Sequence, residues 1–204
     1  VFLWQLSLGE RGQLQAVYGF GTIPSVLFGR RELDPALAVL PAEVTVLTSM
    51  FLHGGWLHLG GNMLYLWVFG DNVEDSMGHF RFVVFYLLCG IVATLTHSFL
   101  AADSTVPLVG ASGAISGVLG AYLVLHPKVR VLVLAFYRLP IHLPAYVVLG
   151  GWIVLQVINA YVSGQMPGGA GVAWWAHIGG FVAGMLLIGP MRRRAVPLFD
   201  RGRY

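Results

Sequence analysis

Charge is what this chain has least of. Lys, Arg, Asp and Glu make up 10% of its 204 residues, against 57% hydrophobic residues. A water-soluble domain carries about 25% charged residues, so this composition excludes a fully solvated surface and points to the membrane class. Cysteine is limited to Cys89, inside an apolar run, which excludes a disulfide framework and a Cys-rich metal site. The zinc-protease motif His-Glu-x-x-His is missing. Asp71 has no second buried aspartate with which to share a proton. There are no paired broken helices with an ion-binding set, so a secondary transporter is disfavoured. The net charge of +3 comes from clustered arginines, with no basic patch interleaved with exposed aromatics, so nucleic acid is not an expected partner. No cofactor and no metal ion are expected.

What remains is long apolar stretches. Five of them, at about 50–70, 80–101, 109–126, 141–162 and 172–190, approach the ~20 residues that a bilayer-spanning helix needs. Val1 to Leu8 is also apolar but would rise only about 12 Å as a helix. It reads as the second half of a first span whose beginning lies upstream, with no cleavable signal peptide. The expectation is an all-α membrane protein, a six-transmembrane-helix bundle with an N-terminally truncated first helix, forming a single membrane domain over 1–204. Gly9 to Thr48 forms a long connection, expected to lie partly in the interface as short amphipathic helices.

Orientation follows from the cations. Arg81, Lys128, Arg130, Arg138, Arg192, Arg193, Arg194, Arg201 and Arg203 fall on one side of the alternating topology, and Arg11, Arg30 and Arg31 on the other. Basic loops face the cytoplasm, so the C-terminus is expected there. The second, fourth and sixth spans then start at the outer face. His58 and Asn62, Ser112 and His177 lie near these three starts, at similar depth. They read as one site.

Each of these residues has a structural reading beside a chemical one. Ser112 lies in Gly110-Ala111-Ser112-Gly113-Ala114-Ile115-Ser116-Gly117, where small residues four apart make a close-packing helix face. His177 is followed by Gly180 and Gly184, a second such face. Two glycine faces let their helices touch, and a serine hydroxyl and an imidazole brought together are a nucleophile and its base. Ser116 is assigned to packing. His58 and Asn62, four apart, share a helix face; they either hold their span in the bundle or donate hydrogen bonds to an oxyanion, together with the backbone N–H of Ser112. Between Ser104 and Phe199 there is no acidic residue, so a Ser-His dyad is more economical than a triad. Asp103 could reach only the mouth of the site. His53 braces the first connection. His79, His97, His126 and His142 are expected at the interfaces, and Gln156 and Asn159 as hydrogen bonders between helices.

On these residues the chain resembles the rhomboid intramembrane serine proteases in their minimal six-span bacterial form. The Gly-x-Ser-Gly motif stands as Gly110-Ala111-Ser112-Gly113, the His-x-x-x-Asn motif as His58 to Asn62, and the Ala-His-x-x-Gly-x-x-x-Gly motif as Ala176 to Gly184. The resemblance implies Ser112 as nucleophile, His177 as general base, and His58 and Asn62 as oxyanion side chains; His53 and Glu74 match structural positions. Two departures stand out. Glu43-Val44-Thr45-Val46 occupies the place of a Trp-Arg pair in the first loop, and Ser116 replaces an aromatic, so the stacking at His177 must differ.

The implied function is an intramembrane serine endopeptidase cleaving transmembrane-helix protein substrates within the lipid bilayer, in a bacterial inner membrane, with its site opening to the outer face. The alternative is a non-proteolytic rhomboid-like protein that binds and escorts membrane clients. The charge-free, glycine-rich stretch from Ser163 to Gly171 is expected to act as a lid over the site.

Overall fold

The computed structural model describes residues 1–135, 138–164 and 172–199. Residues 165–171, most of the expected lid, lie outside the described residues. The apolar start forms the short helix α1 (Phe2–Ser7), and the long connection carries α2 (Gly9–Phe20), α3 (Pro24–Leu27) and α4 (Ala42–Thr48), the last running into a 3-10 turn, Ser49–Phe51. The expected short helices in this connection are therefore present. Five longer helices follow: α5 (Trp56–Met77), α6 (His79–Leu100), α7 (Ser112–Leu125), α8 (Ala145–Gly164) and α9 (Trp174–Met191).

Three of them, α6, α8 and α9, are long and apolar enough to cross a membrane. The 22 residues of α5 have the length, but Asp71, Glu74 and Asp75 sit in its last turns. With 14 residues, α7 is shorter; it rises about 21 Å, less than the ~30 Å hydrocarbon core. A helix apolar on every side must be buried on every side, and α7 is: from Gly113 to Leu125 only Leu123 is not buried. It forms the axis of the bundle, wrapped by α5, α6 and α9.

The expectation of an all-α chain needs correction. Residues Arg130–Ala135 (β1) and Leu139–Pro144 (β2) form an antiparallel hairpin, with Arg130 opposite Pro144 and Val133 opposite Ile141. The apolar stretch expected at 141–162 therefore begins its helix only at Ala145. Pro140 and Pro144 explain this: each removes a backbone donor and biases the residue before it toward extended backbone. Hydrophobicity alone did not separate a short strand from the start of a span.

Glycine sets the closest approach in the bundle. A methyl group on Gly180 would overlap the carbonyl oxygen of Gly113, and one on Gly184 the carbonyl oxygen of Gly117. The two small-residue faces thus bring α7 and α9 into backbone contact. Below them Val73, Phe85, Val118, Leu119, Leu125, Leu149 and Ile188 fill the core, with Cys89 buried among them.

The connections are pinned to the site. Thr22 and Leu108 exchange two backbone hydrogen bonds (3.1 and 2.7 Å), and the Thr22 hydroxyl donates to the Thr45 carbonyl at 2.9 Å. The Gly110 N–H donates to the Ser49 carbonyl at 2.9 Å. On the other flank, Gln5 exchanges two hydrogen bonds with the backbone of His53. The long connection therefore braces the loop that delivers Ser112, and α1 braces the loop that opens α5.

Candidate active site

The three motifs expected to converge do so at the first turns of α5, α7 and α9. The Oγ of Ser112 lies 2.9 Å from Nε2 of His177, across 65 residues of sequence. The hydroxyl of Ser116, one turn on, donates to the Ser112 carbonyl at 2.6 Å, which keeps it turned away from the imidazole. Ser112, His177 and His58 line one cavity of about 710 Å³, between the start of α9, the end of α6 and residues 104–109. Its wall is mostly apolar, with a few convergent polar groups, the usual make-up of a small-molecule or peptide site.

Around Gly110 the chain turns tightly. Its φ is +122°, and a Cβ there would stand 2.6 Å from His58 Nε2 and 3.8 Å from Asn62 Nδ2. Only glycine lets these two side chains approach the backbone ahead of Ser112. His58 is held from its other side, where its Nδ1 accepts the Gly54 N–H at 3.2 Å. An accepting Nδ1 leaves the proton on Nε2, so His58 presents an N–H toward Gly110. Asn62 is buried, and its Nδ2 has no hydrogen-bond partner among the described residues. A buried unmet donor costs about 1–3 kcal/mol, and such a group close to Gly110, two residues before Ser112, is a candidate donor to a transient oxygen anion. As the first residue of α7, Ser112 also has an N–H with no carbonyl four residues back within the helix.

Two tryptophans supply the aromatic surroundings of His177. Trp152 of α8 packs against the imidazole at a centroid distance of 5.9 Å, and Trp174 meets it edge-on at 6.2 Å. Trp174 is itself fixed by its indole N–H, which donates to the Ser163 hydroxyl at 3.0 Å.

Several expected roles change. His97, expected at an interface, lines the cavity; it continues the buried face of α6 through Cys89, Gly90 and Ala93, a four-residue spacing visible in the sequence. Asp103 pairs with Arg30 at 2.7 Å on the exposed surface. Gln156 links helices as expected, its Oε1 on α8 lying 2.8 Å from Nδ1 of His177 on α9. It is the buried polar side chain of α8, beside Leu149 and Ala160. That inward face was readable from spacing, but not the partner it meets. Glu74 lies at the far end of α5, paired with His79. His53 meets Gln5 through its backbone and packs its ring against His58 at 5.2 Å. Among the described residues, no group of three His, Cys, Asp or Glu could hold a metal ion.

Comparison with known proteins agrees with the motifs. The sequence profile of the Rhomboid domain matches residues 42–194. The chain is 31% identical over 84% of its length to Rhomboid protein 1, mitochondrial, of Saccharomyces cerevisiae, and spans 49% of that protein. It is 31% identical over 72% of its length to Rhomboid-like protein 11, chloroplastic, of Arabidopsis thaliana, spanning 52% of it. A shorter stretch, 38% of the chain, is 46% identical to 15% of Rhomboid protease GluP of Bacillus subtilis. With its profile match and its apolar helices, the chain belongs to the Rhomboid domain family and is an integral membrane protein.

Proposed function

We propose that this protein is an intramembrane serine endopeptidase acting on transmembrane helices of other proteins. The observation that carries the reading is the 2.9 Å contact between Ser112 Oγ and His177 Nε2 inside a cavity bordered by apolar helices. In this reading His177 Nε2 takes the hydroxyl proton as Ser112 Oγ attacks a peptide carbonyl. The His58 Nε2–H, the Asn62 Nδ2–H and the Ser112 backbone N–H receive the developing oxyanion. His177 then returns the proton to the leaving amine, and water releases the acyl group by the same steps in reverse. Helical substrates hide their carbonyls in i to i−4 hydrogen bonds, so the cleaved segment must unwind first. Weakly helical residues near the scissile bond would therefore favour cleavage.

The same proposal takes the chain as one membrane domain over 1–204 with six spans: the opening stretch and α5 to α9. It places the C-terminus in the cytoplasm of a bacterial cell and the cavity at the outer face, from the excess of Lys and Arg on one side. Two of the relatives named above are mitochondrial or chloroplastic, so reporter fusions at both termini in a bacterial host are the direct check of compartment and orientation.

The experiment for activity reconstitutes wild type and Ser112→Ala in lipid vesicles with a model single-span substrate. Cleavage by wild type alone is the expected result. No cleavage by either protein, with substrate still captured, would favour the client-binding alternative.

A further inference from the structure

We propose that Gln156 is a positioning residue that sets the reactive tautomer of His177; the inference deepens the protease reading and rests on it. The geometry is a chain of three groups, Gln156 Oε1 to His177 Nδ1 at 2.8 Å and His177 Nε2 to Ser112 Oγ at 2.9 Å. A neutral imidazole has one N–H, and the group facing each nitrogen decides where it resides. A carbonyl oxygen at Nδ1 draws the proton there. Nε2 is then left with its lone pair toward the serine hydroxyl, the only tautomer that can accept its proton. With the opposite tautomer, Nε2–H would donate to Ser112 and the hydroxyl would have no base.

An amide suits this place better than a carboxylate. No acidic residue occurs between Ser104 and Phe199, and Gln156 is 6% exposed in an apolar helix, where an ionised group is costly. The amide oxygen orients the ring without placing a charge in the bundle. Its hydrogen bond also strengthens as His177 becomes an imidazolium, because charge-assisted bonds are the stronger ones. The stabilisation is therefore greater in the transition state than in the resting enzyme. Trp152, one turn before Gln156, packs near the His177 ring at a centroid distance of 5.9 Å, so a single face of α8 carries both the hydrogen-bond partner of the base and a ring neighbour.

The test reads the tautomer directly. Imidazole nitrogen chemical shifts of His177 are measured in ¹⁵N-histidine protein in lipid vesicles, assigned by their loss in His177→Ala. Wild type is expected to carry the proton on Nδ1. Gln156→Met, similar in size but without a strong acceptor, is expected to shift toward Nε2–H and to lower kcat about 10- to 100-fold at unchanged KM, by analogy with removing the outer partner of a metal-ligating histidine. Wild type with its proton on Nε2, or a Gln156→Met tautomer equal to that of wild type, would overturn the proposal and return Gln156 to a packing role. Because the tautomer is read without substrate, this outcome is separate from failure of the protease reading, which would show as wild type and Ser112→Ala behaving alike.

Discussion

The backbone N–H of Gly54 donates to Nδ1 of His58 across 3.2 Å, and this bond settles what His58 can do. A backbone amide can only donate, so Nδ1 must be the unprotonated nitrogen and Nε2 the N–H. His58 is thereby a donor on the side facing Gly110. His177 is the opposite case, with an amide oxygen at Nδ1 and a hydroxyl at Nε2. The two histidines of one cavity thus meet opposite partners at Nδ1, a backbone N–H at His58 and an amide oxygen at His177.

His58→Ala and Asn62→Ala should each slow turnover while leaving residual activity, since the backbone N–H of Ser112 remains. A single oxyanion donor is worth about 10²–10³ in rate. Initial rates on a membrane substrate measure this; unchanged rates in both variants would leave these side chains a packing role only.

Gly110→Ala should cost both stability and activity. Its φ of +122° is unfavourable for any L side chain, and its methyl would meet His58 Nε2 at 2.6 Å. Strain of about 1–3 kcal/mol is expected, with the oxyanion donors pushed out of place. Thermal unfolding in detergent and initial rates report the two effects; a variant equal to wild type in both would contradict the tight approach at Gly110.

Gly184→Ala tests the α7–α9 contact. The added methyl overlaps the Gly117 carbonyl oxygen, so the helices must part. Overpacking of this kind costs about 1–3 kcal/mol. Gly150→Ala, where a Cβ meets nothing within 4 Å, is the matched control and should unfold at the wild-type temperature or above.

Asp103→Asn should leave turnover within about twofold of wild type. Asp103 is exposed and paired with Arg30, and exposed pairs contribute about 0–1 kcal/mol. A large loss of kcat would mean that this carboxylate takes part in the chemistry after all.

Gln5→Ala should loosen α1 from the loop before α5. It removes both hydrogen bonds to the buried backbone of His53, and an unmet buried backbone group costs about 1–3 kcal/mol. Faster proteolysis of the N-terminal segment, measured beside wild type, is the expected sign.

Most of the candidate site was legible before any coordinates. Ser112, His177, His58 and Asn62 stand in short motifs at the starts of apolar stretches, and helix polarity alone predicts that alternate spans bring their starts to one side. The hairpin was not legible, because the Val, Leu and Ile of β1 and β2 suit a strand or a helix equally. Nor were the partners of His177. Trp152 and Gln156 share a helix face by spacing, but spacing says nothing of which neighbour that face meets.

By itself the sequence determined that the chain lives in a bilayer, roughly where its apolar stretches run and which polar residues lie near their starts. These are properties of composition and local periodicity, set by residues a few positions apart. Tertiary structure decided which groups face the ring nitrogens of His58 and His177, that Gln156 rather than an acid stands behind His177, and that His97 faces the cavity. Those outcomes depend on contacts such as Ser112 to His177, 65 residues apart, and Gln156 to His177, 21 apart. For Ser112 and His177 the depth to which glycine lets α7 and α9 approach is decisive, and no local pattern records that depth.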